Sequence, residues 1–424
     1  MYSKKFREAL IKGVNNLRIL FATYWYLPHI GGVNTYINVL RKELINEGHH
    51  VDVLAHHTEN NDKIYMLTTG QYVEKGKILN ELYNSIFNYY EKKMPYVKNW
   101  IRYREIERYA FEYAASQFNL DQYDLIHAQD IISTRALKRV KPPNVPLIST
   151  IHGLLATEHV VNGSITSRNS ISWRYVVAEE YYGATSAEKT IVPTNWLKNS
   201  LSKRPFNVLN KNIHTIPYGI DIEQFSEKFH SPSNEPLPEI DENKTIFICP
   251  ARLVKVKGHK YLLEAMANLK QTRKDFVLWI VGDGPLSGKL KDLSNKLDID
   301  DVVNFLGYRT DVPQLLKLSD ILILPSVQDN QPFSIMEAQI GGKLVVASEA
   351  GGIPEMINDG ETGFLFPRRN SLALTKKLEY ILSKPQITEK VAIQGQKWGL
   401  NQWSSKTLLE KTKKIYIQAL ENIN

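Results

Sequence analysis

At 424 residues the chain exceeds one ordinary domain of about 100–200 residues, so two domains, each able to bury its own core, are the default. Hydrophobic residues at 43% and charged residues at 23% exclude a disordered chain, and the single cysteine, Cys249, excludes intrachain disulfides and thiolate metal clusters. A net charge of +8 favours anionic partners as a class (phosphorylated small molecules, anionic lipid, nucleic acid or acidic polymers) and names none of them.

The first segment, 3–11, sets Phe6 and Leu10 four apart among Lys4, Lys5, Arg7 and Lys12, which reads as a short basic amphipathic helix. It can pack on the domain or touch an anionic membrane surface. No apolar core of a secretory signal follows it, and no apolar run reaches the roughly 18 residues of a membrane-spanning helix. The expected location is cytoplasmic, with peripheral membrane contact as an open option.

Residues 17–22 then read as a buried strand and Gly31-Gly32 as a loop. Tyr36, Val39, Leu40 and Leu44 mark a helix closed by Gly48, and 51–55 a second strand. Strand, glycine loop, helix, strand is a βαβ unit. The stretch 58–118 is rich in tyrosine and has helical periodicity at 79–90 and 100–115. The α/β alternation resumes with strands at 125–127, 147–151 and 190–192. A second series has strands at 246–248, 276–281, 303–305, 321–324 and 344–347, with helices at 261–270, 288–297 and 312–318. Pro205, Pro217, Pro232, Pro236 and Pro238 place the join within 203–245. The fold class is therefore α/β, with two Rossmann-like domains built on mostly parallel sheets. Such sheets bind ligands at the carboxyl ends of their strands, so a cleft between facing domains is the expected site.

Four constellations could carry chemistry. In Asp320-Ile-Leu-Ile-Leu-Pro-Ser326 and the following Val-Gln-Asp329-Asn-Gln-Pro332-Phe-Ser-Ile-Met-Glu337, a buried strand leads through a polar loop into a helix. Proline suits a first helical turn, and the free N–H groups of Phe333 and Ser334 would form an anion site. Asp329 and Glu337 would flank it, although each could equally be an ordinary surface acid. In Cys249-Pro-Ala-Arg252-Leu-Val-Lys255-Val-Lys257-Gly258 a strand delivers Arg252 and Lys257, a pair able to clamp a diphosphate or simply to sit in solvent. Gly31-Gly32 would let backbone approach phosphate, or make a plain turn. His152, directly after a strand, could touch substrate or be structural.

Two further patterns weigh less. Gly282-Asp-Gly284-Pro-Leu-Ser-Gly288 approximates a dinucleotide fingerprint, but its third glycine is one place late. Asp298 and Asp300 have metal-pair spacing but fall in a helix-to-strand turn where solvated aspartates are expected, so no metal site is expected.

Taken together, these residues resemble the retaining nucleotide-sugar glycosyltransferases of family four, which have the two-domain GT-B fold. The matching pieces are the glycine loop 28–33, Ser-Thr-Ile-His152-Gly, Ile216-Pro-Tyr-Gly219-Ile-Asp221 and Ala-Arg252 with Lys257-Gly. They continue in Val-Gly282-Asp-Gly284-Pro, Phe-Leu-Gly307-Tyr, the acidic pair ending at Glu337, Gly351-Gly352-Ile-Pro354-Glu355 and Gly360-Glu-Thr-Gly363-Phe. The resemblance implies an N-terminal acceptor-side domain over 1–218, completed by a C-terminal helix at 402–424, and a donor-binding domain over 219–401. It implies that Arg252 and Lys257 bind the donor diphosphate with the backbone of Gly32, and that Glu337 holds the ribose hydroxyls. Asp329 would face the donor sugar with His152 beside it, Tyr308 would meet the base, and Gly284, Phe333 and Ser334 would complete the donor site. The implied partners are a nucleotide-sugar donor, with UDP-sugar favoured by family frequency, and a hydroxyl acceptor not identified by the sequence. No cofactor, metal or nucleic acid is implied.

Two residues depart from the pattern. Asp329 stands where glutamate is usual, and Pro332 where glycine is common, removing one N–H donor. The rival readings are a sugar-nucleotide epimerase of the same architecture, a non-catalytic relative binding a polyanion or surface, and, resting only on Gly282 to Gly288, a nicotinamide dehydrogenase.

Overall fold

The computed structural model describes residues 16–29 and 31–421, so the amphipathic segment 3–11 lies outside the described residues. The chain divides into two compact units. One takes the chain up to Pro217 and from Lys406 onward; the other is Tyr218–Ser405.

The first unit is built on an eight-stranded sheet in the order β4-β3-β2-β1-β5-β6-β7-β8. In chain order its elements are β1 (Arg18–Leu27), α1 (Gly32–Asn46), β2 (His50–His57), β3 (Lys63–Met66), β4 (Tyr72–Glu74), α2 (Lys75–Lys93) and α3 (Asn99–Ser116). They continue with β5 (Leu125–Ala128), α4 (Ile131–Val140), β6 (Leu147–Thr150), α5 (Leu155–Asn162), α6 (Ile171–Thr185), β7 (Lys189–Val192), α7 (Asn195–Ser202) and β8 (Ile213–Thr215). Ile19, Leu20, Phe21 and Ala22 are fully buried, as a central strand covered on both faces requires. Asp130 locks the middle of the sheet. One carboxylate oxygen caps α4 by accepting from the N–H of Ile132 and Ser133 at 2.9 and 2.8 Å. The other accepts from Thr23 Oγ1 and the Tyr24 N–H at the far end of β1.

The segment 58–118 holds two long helices, as its periodicity predicts, but also an antiparallel pair that the sequence reading misses. Strands β3 and β4 are four and three residues long, and β3 is held by pairing to β2. The three-residue strand β8 is missed for the same reason: so short an edge has no period of its own to show.

The second unit contains α8 (Ile222–His230), β9 (Thr245–Pro250), α9 (His259–Lys270), β10 (Phe276–Val281), α10 (Ser287–Lys296), β11 (Val303–Gly307), α11 (Val312–Leu318) and β12 (Ile321–Leu324). After these come α12 (Phe333–Ile340), β13 (Leu344–Ser348), β14 (Phe364–Phe366), α13 (Ser371–Leu382) and α14 (Pro385–Gln402). Its six strands are all parallel, in the order β11-β10-β9-β12-β13-β14. Phe247, Phe276 and Trp279 fill the core without exposure.

The final helix, α15 (Ser405–Glu421), returns to the first unit. The boundary falls after Ser405 rather than after residue 401, because Trp403 is anchored in the second unit: its Nε1–H donates to Gln339 Oε1 at 2.7 Å. The other boundary lies after Pro217 rather than 218, since the Tyr218 N–H donates to Gln331 Oε1 at 2.8 Å. Next to these boundaries Ile220 pairs with Ser404 in an isolated parallel bridge.

Tyr416 seats α15 in the first unit. Its hydroxyl is hydrogen-bonded to His127 Nδ1 at 2.8 Å, and His127 Nε2 to Thr150 Oγ1 at 2.7 Å. Burial pushes the His127 imidazole down to about 3, so it stays neutral with both ring nitrogens engaged. Tyr416→Phe keeps the ring and strands one buried nitrogen. It is expected to lower the unfolding free energy by about 1–2 kcal/mol in urea titrations; unchanged stability would show that this hydrogen bond does not hold the helix.

Candidate active site

Numbered within the second unit, the strand order is 3-2-1-4-5-6, which reverses between β9 and β12. Sheets of this order open a crevice at the reversal, beyond the carboxyl ends of the strands. The loops leaving β9 and β12 are 251–258 and 325–332, and they carry Arg252, Lys257 and Asp329; α12, with Phe333, Ser334 and Glu337, follows directly.

Backbone hydrogen bonds sew these loops together. Ala251 N–H donates to Val281 O at 2.9 Å and Leu253 N–H to Asp283 O at 2.9 Å, fastening the first loop to the end of β10. Val327 N–H donates to Val256 O at 2.7 Å, fastening it to the second. The approach is closest at Gly258, whose φ is +72° and where a Cβ would lie 2.0 Å from Pro325 O. Only glycine meets both demands. Gly284 packs in the same way: an added Cβ would lie 2.7 Å from Leu253 O.

Across this seam Lys257 Nζ donates to Asp329 Oδ2 at 2.5 Å. Ser326 Oγ donates to the same oxygen at 2.9 Å, and the Asn330 N–H to Oδ1 at 3.1 Å. The Asp329 carbonyl is held as well: it accepts from the Gly352 N–H at 3.1 Å, and a Cβ on Gly351 (φ +62°) would lie 1.8 Å from it. The carboxylate is thus fixed on Lys257. Arg252 is exposed and, among the described residues, has no ion-pair partner.

Helix α12 starts at Phe333 with Pro332 as its N-cap, one place earlier than the first-turn position expected from the sequence, and no side chain caps it. Ile335 N–H is satisfied by Pro332 O at 3.2 Å. The helix mouth is steadied by Tyr218, whose ring stacks on Phe333 with centroids 5.3 Å apart and planes 8° apart. Glu337, one turn along, is half-buried, and desolvation pushes its carboxyl up to about 7 against a small opposing effect of Lys228. Tyr308, just after β11, is 50% exposed.

Gly32 and His152 belong to the first unit. Gly32 is exposed as the first residue of α1. His152, beyond the end of β6, sits edge-on to Tyr36 at 5.1 Å, and burial pushes its imidazole down to about 3, so it is neutral. The structure therefore brings Arg252, Lys257, Asp329, Phe333, Ser334 and Glu337 together in one unit. Ser326 and Gln331, which fix Asp329 and Tyr218, were not picked out from the sequence; neither carries a residue-type signal.

Residues 30–224 match the family described as Glycosyltransferase Family 4, and residues 232–398 match the one described as Glycosyl transferases group 1. The chain is a glycosyltransferase of the family-four type. Its two parallel-dominated units have the GT-B fold of its structural neighbours. It is 24% identical to MMP alpha-(1->4)-mannosyltransferase of Mycolicibacterium hassiacum, over 96% of this chain and 99% of the relative. It is also 24% identical to N-acetyl-alpha-D-glucosaminyl L-malate synthase of Bacillus anthracis, over 93% and 96%. Among solved structures, HepE of Anabaena in complex with UDP and glucose aligns with a TM-score of 0.65 at 18% identity, covering 94% of this chain and 99% of that one.

In this glycosyltransferase Glu337 gives a signed pH effect. Its folded value of about 7 lies above the ordinary 4.5. Its contribution to stability is therefore complete below 4.5 and lost as pH rises through 7. Glu337→Gln is expected to gain on wild type by roughly 1 kcal/mol between pH 5 and pH 8.5 in thermal melts; a pH-independent difference would mean that the carboxyl titrates normally.

Proposed function

We propose that this glycosyltransferase is a retaining, metal-independent enzyme that moves a hexose from a nucleoside diphosphate sugar, UDP-sugar being favoured, to a hydroxyl acceptor. The acceptor class is an envelope glycan, a lipid-linked or a small-molecule hydroxyl. The basic charge of the chain suits a peripheral contact with anionic membrane for a lipid-linked acceptor. The observation that carries the reading is the grouping of Arg252, Lys257 and the uncapped mouth of α12 at the sheet reversal, a cationic cradle of the kind a diphosphate needs. The UDP and UDP-glucose bound by HepE support the choice of base. The matching families are transferases, which favours transfer over epimerisation.

Cleavage of the anomeric C–O bond leaves positive charge on the sugar and negative charge on the departing diphosphate. Arg252, Lys257 and the N–H groups of Phe333 and Ser334 stabilise the diphosphate in place of a metal. The acceptor hydroxyl attacks from the face that the diphosphate leaves, forming the new C–O bond as the old one breaks and passing its proton to the departing diphosphate oxygen. Glu337 takes the ribose hydroxyls, and Tyr308 and Gly284 line the base and donor. Asp329 acts through Lys257: bound to Nζ at 2.5 Å, it keeps the ammonium aimed. The shorter side chain, where glutamate is usual in the family, suits this direct pairing.

Calorimetric titration with UDP in EDTA tests the reading. Micromolar binding without metal is expected, and failure of UDP, GDP and ADP alike to bind would sink the proposal. Lys257→Ala is expected to lower kcat/KM by about 10²–10³ with the fold intact; unchanged kinetics would remove it from the clamp. Asp329→Asn should lower kcat/KM by at least about tenfold, with Asp329→Glu recovering part of the loss. Equal loss in both variants would show that holding Lys257 is not its role.

A further inference from the structure

The first unit contains a second cationic place, remote in sequence from the loops 251–258 and 325–332. A hollow of about 450 Å³ opens beside β8, walled by α7 and α15. Ile213, Ile216 and Ile415 contribute apolar surface, Lys198, Lys411 and Lys414 line it, and no carboxylate does. Among the described residues none of these lysines, nor neighbouring Lys189, is in an ion pair. Elsewhere in the same unit lysines do pair: Lys413, next to Lys414, with Glu47, and Lys75 with Glu107.

Ammonium groups gathered around one hollow repel one another and focus a positive potential into it, which falls when an anion enters. His214, in the wall, registers that potential. Its imidazole is pushed below the usual histidine range, first by burial and then by Lys189 and Lys198. Its Nε2 is buried with no hydrogen-bond partner among the described residues. Beside the cations stand neutral hydrogen-bonding groups: Thr215, whose Oγ1 donates to Asn195 Oδ1 at 2.9 Å, and Gln418. Cations for phosphate and neutral amides and hydroxyls for hydroxyl groups are the complement of a phosphorylated polyol.

We propose that this hollow binds a phosphorylated polyol, with the phosphate on Lys198, Lys411 and Lys414 and the hydroxyls on Asn195, Thr215 and Gln418. Free polyol phosphates and the headgroup of phosphatidylglycerol share that chemistry. A site of this kind would bring an anionic ligand to the transferase independently of its donor.

The test uses the full chain and sn-glycerol 1-phosphate, read by the NMR ring signal of His214, assigned by its loss in His214→Gln. The same titration in Lys257→Ala removes any contribution from phosphate bound at the loops 251–258 and 325–332. Saturable shifts at millimolar ligand are expected, weakened about tenfold or more in Lys411→Glu/Lys414→Glu. They should be unchanged in Lys376→Glu/Lys397→Glu, which carries the same charge change on exposed lysines of the other unit. No shift in wild type, or equal weakening in both double variants, overturns the proposal. Co-sedimentation with phosphatidylglycerol vesicles, lost only in the 411/414 variant, would identify the lipid headgroup as the source. The His214 shift without co-sedimentation would identify the soluble phosphate.

Discussion

Lys257 and Asp329 meet across the point where the strand order of the second unit reverses. A parallel sheet leaves this gap because β9 and β12 send their chains to opposite sides, and nothing in the sheet itself ties the two exits together. Here the tie is made three ways: by the ion pair, by the Val327 to Val256 hydrogen bond, and by the bare backbone of Gly258 against Pro325. Ser326 and the Gly351-Gly352 turn then fix the acid on both its carboxylate and its carbonyl. The ammonium is therefore held in place by the fold itself, which under the proposed donor role keeps reorganisation at the moment of reaction small. An unpaired lysine there would have to be ordered by the ligand itself.

Much of this was legible in the sequence where burial imposes a pattern. Strands such as 276–281 and 321–324 are continuous apolar runs because both faces are covered, and their bounds agree with the structure. Strands β3, β4, β8 and β14 were not legible. Each is three or four residues at or next to a sheet edge, held by a neighbour rather than by its own pattern. The boundary near 401 moved for a related reason: Trp403 looks like the start of the last helix, but its indole is claimed by Gln339, a contact far away in sequence.

At the site, residue type and order pointed to Arg252, Lys257, Asp329 and Glu337, because charged groups beside glycines at strand ends are visible as text. What the text could not carry is direction. Asp329 reads as an acid beside a donor sugar, whereas its carboxylate lies on Lys257. Glu337 reads as an acid for ribose hydroxyls or as an ordinary helix acid, and neither reading carries the desolvation that holds its proton to about neutral pH. Gly351 belongs to a quoted motif, yet its necessity appears only in the 1.8 Å that a Cβ would have to share with Asp329. Lys198 of α7 lies more than two hundred residues from Lys411 and Lys414 of α15, and only folding brings them to one hollow.

The bridge between Ile220 and Ser404 has a consequence for how such a chain can change. The second unit is one uninterrupted stretch, entered after Pro217 and left after Ser405, with its entry and exit paired to each other by hydrogen bonds of 2.7 and 3.1 Å. In genetic terms it is a cassette whose two cut sites are held side by side by the cassette itself. Exchange of that stretch for one of different length or loop content leaves the spacing of the flanking ends as it was. The stretch 218–405 and the flanking unit can then be inherited as separate modules, joined at a seam that the stretch itself carries.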